Sequence, residues 1–278
     1  MAERPAVSVQ ALLGARLKLA LQSRGAVLLR AGPGFGRAWT KVGEVAWEQD
    51  PSLDAAQLVL RCAPLFDGVK AAGLPLWVGL GASQVRVFVV EPPRNGARLA
   101  DLQAAAAMRF QRLYGDLAAD WALALDGRVD QAFVASALPH PRLEALRALA
   151  AAHRMPLAGV EPRFVTAWNQ MRAKLAGPWL AVVDDGLLTL AATVAEPRAH
   201  LRALHAMRLP EQGADRRWLR EQVGRVALRE GVLPPTRVIG WRERPGEDPP
   251  TSIIDMPRLQ LVGGEVEMPT APRRTAAR

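Results

Sequence analysis

A single cysteine, Cys62, occurs in the 278 residues. One thiol cannot build an internal disulfide or a multi-cysteine metal site, and it fits a reducing compartment. Lysine is almost as scarce, at positions 18, 41, 70 and 174 only, so arginine carries most of the net charge of +9. An arginine- and alanine-rich, lysine-poor chain is what a GC-rich genome tends to encode, and this bias explains the charge more simply than an acidic partner does. The arginines are mixed with acids and form no long basic run, whereas steering of nucleic acid needs clustered charge. Long apolar runs are missing too. The best, Trp179 to Val194, is interrupted by Asp184 and Asp185 and is shorter than the ~20 residues a bilayer requires. Arg16 and Lys18 break the stretch that would have to form the core of a signal peptide. The expectation is a cytoplasmic chain with no transmembrane span; peripheral contact with a membrane surface stays open.

Half of the chain is apolar, enough to bury a sizeable core in one or two domains. Residues 7–23 read as a basic amphipathic helix, with Leu13, Leu17 and Leu21 recurring every four positions. Residues 26–47 read as paired strands joined at Gly32, Gly34 and Gly36. Asp50-Pro51 reads as the start of a helix whose apolar face is Leu53, Leu58, Leu60, Leu65 and Val69. Two strands joined by a small-residue turn are expected over 75–91. A helix over Leu99–Tyr114, closed by Gly115, follows, then a hairpin over 121–138 and helices beginning at Pro141 and Pro162. The pattern resets at Gly177-Pro178. Beyond it lie a strand–turn–strand unit to about residue 196, a third strand at 199–208, a helix over Asp215–Glu230 and a strand at 237–241. This order is α+β, two-lobed and built on mixed sheets. Each lobe begins with an apolar hairpin around a glycine-containing turn, as an internal duplication would.

Three stretches in this order carry a resemblance to a known family. Residues 131–171 contain Ala137-Leu138-Pro139, Met155-Pro156-Leu157 and Ala158-Gly159-Val160-Glu161-Pro162. Residues 180–186 read LAVVDDG, and residues 97–115 read ARLADLQAAAAMRFQRLYG. Together they resemble the PilM-like and GspL-like actin-like ATPase-fold proteins of type IV pilus and type II secretion assembly, over roughly residues 25–245. The resemblance implies a two-lobed actin-like (ribonuclease H-like) fold. Residues 1–24 would be a helical extension, 25–176 a first lobe with an insert near 94–140, 177–258 a smaller second lobe and 259–278 a loose tail.

In that family two hairpins clamp nucleotide phosphates, each with an Asp that positions metal-bound water and a Gly that admits phosphate to the backbone. Here Arg30 and Gly32 fall at the first of these positions, and an arginine cannot hold Mg²⁺. Asp184 and Gly186 remain at the second, but Leu187 and Leu188 replace the expected donors. Gly240 is followed by Trp241 where a second glycine would leave room for the base. The resemblance therefore implies a degenerate nucleotide site, with no catalytic residue, no metal and no cofactor. ATP with Mg²⁺ at an active ATPase site, Asp184 its metal-positioning acid, is the alternative. Asp184 and Asp185 are neighbours on a strand and point to opposite faces, so they form no shared acid pair; Asp185 reads as a turn residue bonding its own backbone. By the same resemblance the chain is a scaffold at the inner membrane. It would bind the cytoplasmic N-terminal tail of a bitopic, PilN-like partner in a groove near Val87, Val89, Met108 and Phe110. Core packing is the competing reading for each of those four. A homo-oligomer stays open, and no nucleic-acid partner is expected.

Overall fold

A computed structural model describes residues 14–32, 39–93, 98–126, 131–175, 179–194, 200–211, 214–241 and 251–255. The first sheet has the order β3-β2-β1-β4-β8, formed by β1 (Arg16–Gln22), β2 (Gly25–Ala31), β3 (Thr40–Ala46), β4 (Leu76–Leu80) and β8 (Leu157–Pro162). The β1–β2 and β2–β3 pairs are antiparallel, and β1–β4 and β4–β8 are parallel. Its helix-covered face packs α1 (Ala55–Phe66) and α3 (His140–Ala152) against Leu17, Leu19, Leu21, Leu28 and Val78.

The second sheet runs β11-β10-β9-β12-β13, from β9 (Trp179–Asp184), β10 (Leu187–Val194), β11 (His200–Arg208), β12 (Arg237–Trp241) and β13 (Thr251–Asp255). It repeats the hairpin, the third antiparallel strand and the parallel neighbour of the first sheet. The outermost pair differs, because β12–β13 is antiparallel. Helix α4 (Arg163–Met171) covers one face with Phe164, Ala167, Trp168 and Met171. Helix α5 (Arg216–Glu230) covers the other with Leu219, Val223, Val226 and Ala227. The first set follows i, i+3, i+4, i+7 and the second i, i+4, i+7, i+8, each the stripe of a buried helical face. A third sheet, β5-β7-β6, combines β5 (Arg86–Val90), β6 (Trp121–Leu125) and β7 (Phe133–Pro139). Helix α2 (Leu99–Tyr114) seals it with Leu102, Ala106 and Phe110.

Several elements differ from the sequence reading. Residues 16–22 are a strand at the centre of the first sheet, so the first sheet begins before residue 25. Leu13, Leu17 and Leu21 satisfy a period of four, but Leu17, Leu19 and Leu21 satisfy a period of two, and all three of the latter are fully buried on one face. The remainder of that predicted helix, 7–13, lies outside the described residues. Helix α1 starts later than expected. Asp54 caps it, accepting from the Ala56 and Gln57 amides at 2.9 and 3.1 Å, while Asp50 accepts from Ser52 N. Leu53 and Leu60 are exposed, and Leu58, Cys62 and Leu65 form the buried face. The expected pair over 75–91 splits between two sheets, β4 in the first and β5 in the third. Strands β8 and β13 are additional to the element order expected from the sequence. The hairpin glycines Gly34 and Gly36, and the reset at Gly177-Pro178, fall outside the described residues.

Cys62 is buried as expected, and burial pushes its thiol from an ordinary 9.0 up to about 12. The fold favours the protonated thiol, so this contribution to stability is fully present below pH 9 and is lost as pH rises through about 12. Wild type is therefore expected to lose urea resistance faster than Cys62→Ala across that alkaline window. Parallel loss in the two proteins would show that the thiol is not the titrating group.

Candidate functional site

The hairpin turns of the two large sheets meet in the cleft between them. In the second sheet, β9 ends at Asp184, which lies opposite Leu187 in the ladder. The connecting residues Asp185 and Gly186 have φ of 52° and 75°. Positive φ at both centres is the turn that best matches strand twist, and Asp-Gly is a favoured pair for it. In the first sheet the corresponding turn is Ser23-Arg24, between the paired Gln22 and Gly25. A third segment, Gly81–Gln84, connects β4 to β5 at the same place.

Two adjacent carboxylates join these segments. Asp184 is nearly sealed from solvent, with Oδ1 2.6 Å from Arg163 Nη1 and Oδ2 accepting from the Ala82 amide at 2.8 Å. Burial raises its carboxyl above the ordinary value; Arg163 and the Ala82 amide pull the other way. The Asp185 carboxylate crosses to the first sheet. Its Oδ1 accepts from Ser23 N at 3.0 Å and Ser23 Oγ at 2.6 Å, and its Oδ2 accepts from Ser83 Oγ. A Cβ at position 81 would sit 2.8 Å from Asp185 Oδ2, so Gly81 is what lets the carboxylate approach. Asp185 thus bonds side chains and backbone 102 to 162 residues away, rather than its own backbone as the sequence suggested.

A second buried set supports the first. Arg142, on α3, donates to Asp50 Oδ2 at 3.0 Å, to Ser52 Oγ at 2.6 Å and to the Gln84 carbonyl. Gln84 Oε1 accepts from the Gly81 amide at 3.3 Å, and Trp47 Nε1 donates to the Ser23 carbonyl at 2.9 Å. Burial lowers the Arg142 guanidinium from its ordinary value, and Asp50 counters that. The turns that face the cleft are therefore held from behind by a connected polar network.

Of the residues expected at a nucleotide site, Asp184 and Gly186 are in this cleft. Arg30 and Gly32 are not. Arg30 lies opposite Leu17 and Thr40, five ladder positions past Gly25, roughly 17 Å along the strand from the Ser23-Arg24 turn. The first-lobe turn facing the cleft is β1–β2, not the connection after β2, because residues 16–22 are a strand. Gly240 lies within β12, between Ala181 and Ser252. Trp241 is buried beneath α4, with Nε1 donating to Gln170 Oε1 at 3.0 Å.

The expected partner groove is divided. Val87 and Val89 line a groove of about 340 Å³, Phe110 is fully buried under the third sheet, and Met108 is exposed away from both. Sequence reasoning missed Ser23, Ala82, Ser83, Arg142 and Arg163. One signal was available for Arg163. A cation in the first turn of a helix opposes the helix dipole, so an arginine directly after Pro162 asks for an acidic tertiary partner. Among the described residues no cluster of His, Cys, Asp or Glu could hold a metal ion, and no helix is long and apolar enough to cross a membrane.

Two lobes, each a mixed five-stranded sheet led by a hairpin whose turn faces its counterpart, define the actin-like ATPase fold. Solved structures place the chain in that class. A Bacteroides thetaiotaomicron protein with actin-like ATPase fold and unknown function matches with TM-score 0.53 and 9% identity, over 82% of this chain and 81% of that one. The PilM-PilN type IV pilus biogenesis complex matches with TM-score 0.52 and 14% identity, over 76% of this chain and 65% of that one, less than two thirds of its length. The cytoplasmic domain of EpsL, an inner membrane component of the type II secretion system of Vibrio cholerae, matches with TM-score 0.49 and 13% identity, over 75% and 74%. No protein-family model and no curated protein matches the sequence. At these identities the likeness is one of fold.

Proposed function

We propose that this chain is a non-catalytic scaffold that holds the cytoplasmic tail of a single-span inner-membrane protein in a pilus- or secretion-type assembly platform. The observation that carries the non-catalytic part is the occupation of the cleft turns by the chain's own carboxylates. The Ser23 amide and hydroxyl, the Ala82 amide and the Ser83 hydroxyl are the kind of donors that cradle phosphate, and each donates to Asp184 or Asp185. A nucleotide would have to displace two anions that are already satisfied and set its phosphates beside them. Arg163 neutralises Asp184, so Asp184 is not available to position Mg²⁺. Fold likeness to the PilM-PilN complex supports the membrane-platform part, with the protein in the cytoplasm against the inner membrane.

The test is affinity capture of the tagged chain from gently solubilised membranes of its native host, with mass spectrometry of what co-purifies. Recovery of a single-span inner-membrane protein with a short cytoplasmic tail is expected. Calorimetric titration of the same preparation with Mg-ATP is expected to show no saturable binding. ATP carried through purification, with hydrolysis lost in Asp184→Asn, would replace the scaffold with an active ATPase.

A further inference from the structure

The groove beside β5 has features that go past its two predicted valines. Consecutive residues of a strand point to opposite faces. A groove lined by Val87, Phe88 and Val89 in succession, and by Arg202 through His205 in succession, therefore runs along strand edges. Each strand ends its sheet, β5 the third and β11 the second, and the two pack side by side here, with Val89 of β5 and Leu201 of β11 in one buried apolar cluster. The C-terminal turns of α2 and α5 complete the walls, contributing Arg109 and Arg229.

Its charge is one-sided. Arg109, Arg202 and Arg229 line it against one acid, Glu230. The Glu230 carboxylate is already engaged, with Oε1 2.8 Å from His205 Nε2, and its carbonyl accepts from Arg202 Nη2 at 3.1 Å. Among the described residues, Arg109 and Arg229 have no carboxylate in salt-bridge range. Between the arginines lie Val87, Leu113 and Leu204. Cationic walls around Val87, Leu113 and Leu204 suit a partner segment that presents carboxylates beside apolar side chains.

We propose that this groove binds a partner segment in which carboxylates flank apolar side chains. The inference deepens the scaffold reading and rests on it for the existence of a partner, but it adds the second sheet and the arginines to the binding surface. Charge complementarity selects an acidic segment over a basic one.

The test is fluorescence anisotropy of the full chain with labelled short peptides of alternating Glu and Val or alternating Lys and Val. A single-stranded thymidine oligonucleotide serves as the competing polyanion. The Glu-Val peptide is expected to bind saturably and the Lys-Val peptide not to bind. Arg109→Glu and Arg229→Glu, both at exposed positions, are expected to weaken the Glu-Val peptide at least about tenfold. The proposal is overturned if both peptides bind alike, if neither binds, if the oligonucleotide binds more tightly, or if the two variants bind as wild type does. Failure of the peptide with successful membrane capture removes only the groove; the reverse removes the scaffold and keeps the groove.

Discussion

Replacing Arg163 by alanine is expected to destabilise the protein by about 3–5 kcal/mol in urea unfolding, the usual effect of removing one member of a buried ion pair. The size follows from what remains. Asp184 stays in the cleft at 6% exposure, with one backbone amide as its remaining donor among the contacts described. Its carboxyl already lies above the ordinary 3.8 through burial, even beside Arg163. Without the guanidinium the shift grows, and the sign of the pH dependence follows. For a carboxyl raised in the fold, stability is fully present below pH 3.8 and is lost as pH rises through the raised value. Arg163→Ala should accordingly be least impaired in acid and most impaired near neutrality. A double variant, Arg163→Met with Asp184→Leu, should recover most of the loss, because it removes both desolvated charges at once. A single-variant loss below ~1 kcal/mol would mean that water screens the pair as it does at a surface, and the occupied-cleft argument would fail with it.

Phe110→Ala is expected to cost about 3–5 kcal/mol and Met108→Ala to stay within about 0.5 kcal/mol. Both residues are on α2 and both were candidates for the partner groove. Phe110 is fully buried, with ring centroids 5.9 Å from Phe88, 5.2 Å from Tyr114 and 5.1 Å from Trp121. The Arg86 guanidinium sits over the same group, 4.3 Å from the Tyr114 ring and 4.7 Å from that of Trp121, and is paired with Asp116 at 3.1 Å. Truncating Phe110 opens a cavity at the centre of this cluster and loosens α2 from its sheet. Met108 is 67% exposed. Urea unfolding of the two variants separates the readings. Near-wild-type stability for Phe110→Ala would return it to the groove, and a large loss in Met108→Ala would place that side chain in a contact the structure does not show.

The same helix shows what was legible in advance. Its apolar spacing and Gly115 bound α2 without tertiary information, as Asp215 and Gly231 bound α5. The Asp185-Gly186 turn was equally plain, because Asp-Gly between two apolar runs has few alternatives. The site was half legible. Asp184 and Gly186 could be placed because a turn places them, whereas Arg30 and Gly32 were assigned through a hairpin that belongs elsewhere.

The sequence by itself determined the α+β class, the ends of α2 and α5, the second-lobe hairpin, the buried thiol and the turn that carries Asp184 and Asp185. These follow from local periodicity, caps and turn chemistry, which act over a few residues. Only the tertiary structure decided that residues 16–22 are a strand, because Leu17 and Leu21 fit both periods and the parallel partner β4 chooses between them. It alone decided which first-lobe turn faces the cleft, since that depends on the choice just made. It also decided that Asp185 reaches Ser23 and Ser83, and Asp184 reaches Arg163. A carboxylate's partner is set by what the packed sheets bring within about 3 Å of it, and no local pattern records that.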